Sequence, residues 1–172
     1  MTTRHAGPLL GWIAALAVVD LATKRWAVAT LSNGPHELPG PLDLQLSHNT
    51  GPAFGLFSNL STFVISSITL AFIAVVFNMG RNNQAPSTAA ILIVAGGVAN
   101  VIDRLQAGSV VDMLHAGWWP TFNLADIYIV TGVAWWTITI VTAPKTSATP
   151  TDPRSASEGL QGGPIQDPWH RP

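Results

Sequence analysis

The chain has 172 residues, no cysteine, a formal net charge of -1, 48% hydrophobic residues and 10% charged ones, whereas a soluble domain carries about a quarter of its residues as Asp, Glu, Lys and Arg. That leaves too little charge to coat a water-facing surface, and with no basic block longer than Lys24-Arg25 the electrostatic footprint of a nucleic-acid binder is missing. Without cysteine there is no disulfide, thiolate metal site or cysteine nucleophile, so any chemistry falls to carboxylates, His, Ser or Arg.

The apolar residues gather into windows of about 20, the length at which a helix rising about 1.5 Å per residue crosses about 30 Å of hydrocarbon. The first predicted transmembrane segment is Leu9–Ala29. A cleavable secretory signal ending at Ala27-Val28-Ala29 is the rival reading there, but Asp20, Lys24 and Arg25 lie between the apolar run and the small-residue triplet, where a signal peptide rarely tolerates charge. The connection Thr30–Asn59 is rich in Gly, Pro and Asn. Within it Leu42-Asp43-Leu44-Gln45-Leu46-Ser47 alternates with period two, which predicts a small β element at the membrane surface.

Further segments are predicted at Leu60–Met79, Ser87–Ile102, the shortest of them, and Leu124–Ala143. Residues 144–172 are rich in Pro, Thr, Ser and Gly, too poor in apolar side chains to repay the entropy of folding, and are expected to form a disordered cytoplasmic tail. The expected fold is thus an all-α integral membrane protein, with four transmembrane helices and a small β element in the outer connection between helices 1 and 2, in a single membrane-embedded domain over residues 1–143.

Positive residues stay preferentially on the cytoplasmic side. Arg4 precedes the first segment, Arg81 separates the second and third, and Lys145 and Arg154 follow the fourth, while Leu31–Asn59 and Leu105–Asn123 contain no Lys or Arg. Both termini are therefore expected in the cytoplasm. Asp20, Lys24, Asn49, Asp103, Arg104, Asp112 and Asp126 then converge on the outer side.

An ionised Asp in hydrocarbon costs at least about 2.5–3.5 kcal/mol, so an Asp kept in a membrane segment is a functional candidate by default. Asn100, Asp103 and Arg104 share one helical face at i, i+3 and i+4, and Asn123 and Asp126 repeat the i, i+3 relation on the next helix. The functional reading is a carboxylate pair, Asp112 and Asp126, sharing one water: like charges in a poorly solvated site drive one pKa up, so one member accepts a proton while the other donates. The structural alternative is that these carboxylates only pair with Arg104 and Lys24. Charge counting weakens it, because Asp20, Asp103, Asp112 and Asp126 outnumber Lys24, Arg25 and Arg104, and Arg25 lies off the Asp20–Lys24 face. Spacing alone does not choose Asp112 over Asp103.

Other features have plainer readings. Asp20 and Lys24 stand in the favourable order for an i, i+4 helical ion pair. Asn49-Thr50-Gly51-Pro52 reads first as a turn, and Gly96-Gly97 with Ala95 and Ala99 as a close-packing helix face. Trp12, Trp26, Trp118 and Trp119 suit interfacial belts. There is no His-Glu-x-x-His, the five His have no metal-ligand spacing, and the adjacency of Ser47 and His48 does not supply the opposed base and orienting acid that a nucleophilic serine needs, which leaves serine chemistry a minor alternative.

Five blocks in order, Asp20-Leu21-Ala22-Thr23-Lys24, Asn49-Thr50-Gly51-Pro52-Ala53-Phe54-Gly55, Asn100-Val101-Ile102-Asp103-Arg104, Val110-Val111-Asp112 and Phe122-Asn123-Leu124-Ala125-Asp126, resemble the lipoprotein signal peptidase (signal peptidase II) family over about Leu9 to Ala143. The resemblance implies an intramembrane aspartyl protease of the bacterial cytoplasmic membrane that removes the signal peptide from prolipoproteins, cutting N-terminal to a diacylglyceryl-modified Cys without a metal or other cofactor. It implies that Asp112 and Asp126 are the catalytic dyad, that Asn49, Gly51, Asn100, Asp103, Arg104 and Asn123 shape the site, and that Asp20 and Lys24 are also family positions. It further implies that the outer connection forms a small β cradle on the membrane. One departure is Ala95-Gly96-Gly97-Val98-Ala99-Asn100, where the family usually has Gly-Gly-Ala-x-Gly-Asn.

The expected partners are lipidated prolipoprotein substrates and membrane lipid, with no nucleic acid, and the expected state is a monomer. Two rivals make different predictions. A proton- or ion-coupled transporter would spread its polar residues through the depth of the membrane, and a purely structural membrane partner would tolerate Asp112→Asn and Asp126→Asn.

Overall fold

The computed structural model describes residues 6–50 and 61–143. The expected disordered tail and Gly51 fall outside them. The elements in order are helix α1 (Ala6–Thr30), strand β1 (Asp43–Asn49), helices α2 (Thr62–Arg81) and α3 (Ser87–Ala107), strands β2 (Val110–Ala116) and β3 (Trp119–Phe122), and helix α4 (Leu124–Val141). All four helices are long and apolar enough to cross a membrane, so the chain is a multi-pass membrane protein.

Local chemistry sets the helix ends. Ser61 caps α2 by accepting from the Phe63 amide at 3.3 Å. Gly108 ends α3 in the left-handed conformation (φ 72°) that a side chain with a Cβ rarely adopts. Asn123 and Asp126 form a reciprocal capping box at the start of α4. The third helix continues past Ile102, where hydropathy alone ends it, because Asp103 is taken up inside the protein and does not need to leave the helix to find water.

α3 is the hub. It packs on α1, α2 and α4, and 67% of its apolar window is buried against 11–28% for the other three. Lipid tails are as apolar as Leu, so membrane helices associate through close packing, which small residues permit. A Cβ on Gly97 would stand 2.9 Å from the Ile73 side chain of α2. On Gly96 it would collide with the Ala125 carbonyl oxygen and stand 2.8 Å from Ile129 of α4, and on Gly132 it would stand 2.7 Å from Ile93. The packing reading of Gly96-Gly97 therefore holds, with the two glycines serving different neighbours.

The β element expected in the first connection is present as β1, and it belongs to a larger structure. The antiparallel sheet has three strands in the order β1-β2-β3, and two of them come from the connection between α3 and α4. β1 and β2 pair through Ser47↔Asp112 and Asn49↔Val110, and β2 and β3 through Leu114↔Phe122 and Ala116↔Trp119. The tight turn between β2 and β3 places Gly117 at φ 53°, the geometry that primed hairpin turns require. β2 was hard to read because Val110–Ala116 does not alternate cleanly: Asp112 and Met113, adjacent in sequence, are both buried. Met113, Leu44, Leu46 and Leu114 dock the sheet on Ala27 and Leu31 at the end of α1.

Gly96→Val should displace the start of α4 and lower stability by about 1–3 kcal/mol, read as a lower thermal midpoint in bicelles. Gly11→Ala, where an added Cβ meets nothing within 4 Å, should leave that midpoint unchanged, and equal midpoints for the two variants would contradict the packing described.

Candidate active site

The site grows from one ammonium group. Lys24, on the face of α1 that turns toward α3, is only 2% exposed. Its Nζ lies 2.8 Å from Asp20 Oδ2 and 3.0 Å from Asp103 Oδ2, and donates to Asn100 Oδ1 at 2.8 Å. Those contacts match the three protons an ammonium has to give. Asp20, fully buried, uses its other oxygen to accept from the backbone N–H of Ala125 at 2.7 Å, which ties α1 to the first turn of α4. Asp103 Oδ2 also accepts from the Val111 N–H at 3.3 Å, which ties α3 to β2.

Above this layer lie two asparagines. Asn100 donates its amide to Asp126 Oδ1 at 3.0 Å. Asn123, the helix cap, donates to Asp112 Oδ1 at 2.7 Å and to Asn100 Oδ1 at 3.3 Å. Its backbone N–H reaches Asp126 Oδ2 at 3.1 Å, while its own Oδ1 accepts from the Asp126 N–H at 2.9 Å. Asn49, at the end of β1, donates to the second oxygen of Asp112 at 3.2 Å. Asp112 and Asp126 thus converge on Asn123 and are held by amides. Among the described residues neither forms an ion pair with Lys or Arg.

Asp112 is 1% exposed, and its pKa is pushed up to about 6. Burial is the main cause, since it penalises the charged carboxylate; the neighbouring charge of Asp126 adds to it, while the amides of Asn123 and Asn49 and the charge of Lys24 work against it. Asp126 is only half-buried. It opens on an apolar groove of about 280 Å³ lined by Trp119, Phe122, Ile127, Val130 and Thr131. Arg104 sits in the field of Asp126, Asp112 and Asp103, yet among the described residues its buried Nε has no hydrogen-bond partner.

Every described residue singled out from the sequence, Asp20, Lys24, Asn49, Asn100, Asp103, Arg104, Asp112, Asn123 and Asp126, belongs to this one cluster, and Gly51 lies outside the described residues. The cluster occupies one end of the bundle, where α3 ends, α4 begins and the sheet sits. Among the described residues the charged side chains that are buried, Asp20, Lys24, Asp103 and Asp112, all belong to it, unlike a relay spread through the membrane. Two features escape sequence reasoning: the backbone amides of Ala125 and Val111 as carboxylate anchors, which no residue type announces, and a buried serine on α2, Ser66. A lone Ser in an apolar helix carries no signal of its own.

Four spanning helices around a buried carboxylate–amide cluster define a membrane-embedded protein in which two acids, without an ion pair among the described residues, both bond to Asn123 at one end of the bundle. Residues 12–142 match the family model described as Signal peptidase (SPase) II. A lipoprotein signal peptidase of Syntrophomonas wolfei is 37% identical over 123 residues, covering 68% of this chain and 81% of the relative. One of Syntrophotalea carbinolica is 38% identical over 136 residues, covering 70% and 83%. A solved bacterial membrane enzyme, determined by the in meso method, superposes with a TM-score of 0.68 at 27% identity, over 81% of this chain and 90% of that one. The chain belongs to the signal peptidase II family, and it is a membrane protease.

Lys24→Met should cost about 3–5 kcal/mol, because Asp20 and Asp103 are then left buried without a counter-charge. Adding Asp20→Asn should recover part of that loss, since the Asn oxygen still accepts from Ala125. Thermal unfolding in bicelles measures both, and a fully stable Lys24→Met would contradict the role given to the ammonium.

Proposed function

We propose that the protein removes the signal peptide from lipid-modified prolipoproteins, cutting N-terminal to the diacylglyceryl-modified Cys with a water activated between Asp112 and Asp126. The observation that carries this reading is that, among the described residues, these two of the four clustered carboxylates form no ion pair and both bond to one asparagine, Asn123.

In this mechanism the pair holds one proton, which burial favours on Asp112. Asp126 takes a proton from the water as its oxygen bonds to the scissile carbonyl carbon, and Asp112 gives its proton to the carbonyl oxygen, forming a neutral tetrahedral diol. The diol then returns a proton to Asp112 while Asp126 protonates the leaving nitrogen. The C–N bond breaks, the new carboxyl end of the signal peptide forms, and the pair regains its starting charge. Acid and base are both supplied by carboxyls, so the scheme needs no metal.

Asn123, Asn100 and Asn49 keep the two carboxyls aimed while donating only neutral hydrogen bonds, which leaves the pair able to exchange a proton. Asp20, Lys24 and Asp103 act on the positions of α4 and β2 and not on the substrate. With both termini cytoplasmic, as the distribution of Lys and Arg favours, the pair lies near the outer face of the bacterial cytoplasmic membrane. There water can reach it, while the precursor's lipid and signal helix arrive by diffusion within the bilayer. The apolar groove beside Asp126 suits such an approach, and a single chain contains every group the scheme uses.

Purified protein in bicelles should cleave a diacylglyceryl-modified precursor, and Asp112→Asn and Asp126→Asn should each reduce kcat by about 10²–10⁴. Asp43→Asn, which changes a carboxylate on β1 that accepts only from the Leu38 amide, should leave turnover near wild type. Because Asp112 must carry the proton, kcat/KM should fall about tenfold per pH unit above a midpoint of about 6. Wild-type turnover in both dyad variants would overturn the proposal.

A further inference from the structure

Helices α2 and α3 run antiparallel with a seven-residue match between them. A Cβ added to Gly80 would touch Ala90, and one added to Gly97 would touch Ile73. Carried one heptad further along both helices, the same spacing gives Ser66 and Arg104 as register partners. Ser66 is 2% exposed, and among the described residues neither its hydroxyl nor the buried Nε of Arg104 has a hydrogen-bond partner.

The orphaned hydroxyl stands out on its own helix. Ser67 donates to the Phe63 carbonyl at 2.7 Å and Thr69 to the Ile65 carbonyl at 2.9 Å, the usual way for a hydroxyl in an apolar helix to satisfy itself. Ser66 has the same option one turn back and does not take it. Leaving a buried hydroxyl unpaired is costly. Two such groups at matching positions, with Arg104 already in the field of Asp112 and Asp126, mark a place made for something that arrives.

We propose that Ser66 is a substrate-positioning residue whose hydroxyl, together with the Arg104 Nε–H, holds a carbonyl oxygen of the bound precursor on the α2 side of the dyad. Both groups can donate, so they converge on an acceptor. Three aspartates around Arg104 repel an anionic acceptor, so the acceptor is neutral. Two carbonyls of a lipidated precursor fit: a backbone carbonyl near the scissile bond and an ester carbonyl of the diacylglyceryl group. The inference rests on the peptidase reading above.

The test compares wild type, Ser66→Ala, Ser66→Thr, Arg104→Lys and the Ser66→Ala/Arg104→Lys double variant on ester-linked and ether-linked diacylglyceryl precursors in bicelles. Ser66→Ala should raise KM about three- to tenfold with a smaller change in kcat, as loss of a uniform binding contact does. Ser66→Thr, which keeps the hydroxyl, should bring KM back below that of Ser66→Ala, and the double variant should cost less than the sum of the single changes. If the Ser66→Ala penalty vanishes on the ether-linked precursor the oxygen is the ester's, and if it persists the oxygen is a peptide carbonyl. An unchanged KM in Ser66→Ala, or a fall in kcat that only tracks a lower thermal midpoint, overturns the assignment. Failure of wild type to cut any lipidated precursor would instead overturn the peptidase reading itself.

Discussion

One buried ammonium organises the polar end of this bundle. Lys24 pairs with Asp20 and Asp103 and donates a hydrogen bond to Asn100. A charge of this kind in a membrane helix is expensive unless fully partnered, so its three contacts must all be kept, and each belongs to a different structural connection. Through Asp20 it reaches the first turn of α4, and through Asp103 it reaches β2. The elements that carry Asp126 and Asp112 are therefore placed by a cation that forms no ion pair with either of those two carboxylates.

The consequence is a division of labour among four acids of one residue type. Asp20 and Asp103 are compensated by charge and hold the framework. Among the described residues Asp112 and Asp126 form no ion pair and are held by the amides of Asn49, Asn100 and Asn123, neutral donors that orient a carboxyl without a direct counter-charge. Asn123 links the two roles. As the cap of α4 it would be needed for stability alone, but it also contacts both acids, so helix initiation and site geometry are one event. Behind it, α3 can approach α4 closely enough for Asn100 to reach Asp126 because Gly96 leaves room for the Ala125 carbonyl.

Much of this was legible in the sequence, for a physical reason: lipid makes both apolar length and buried charge conspicuous. Four spans could be located by length, and the i, i+3 and i+4 relations of Asn100, Asp103 and Arg104 put them on one face. The excess of carboxylates over cations at this end anticipated that some would be left without an ion pair. The sheet was only partly legible. β1 alternates and was visible, whereas β2 buries Asp112 and Met113 side by side and its pairing with β1 is a long-range contact that no local pattern encodes. Backbone amides as carboxylate anchors, and the burial of Ser66 on α2, depend on how helices pack, and they appear only once the fold is known. The residues beyond Ala143 lie outside the described structure.

The claim on which the account turns is that the uncompensated pair shares a single proton, held at Asp112. Isotope-edited infrared spectroscopy of protein labelled at the aspartate carboxyls, titrated in bicelles, observes that proton directly. The account predicts a protonated carboxyl band that is lost with a midpoint near 6 and is absent from Asp112→Asn. A band that persists unchanged in Asp112→Asn, or no protonated carboxyl at any pH between about 4 and 8, would contradict it.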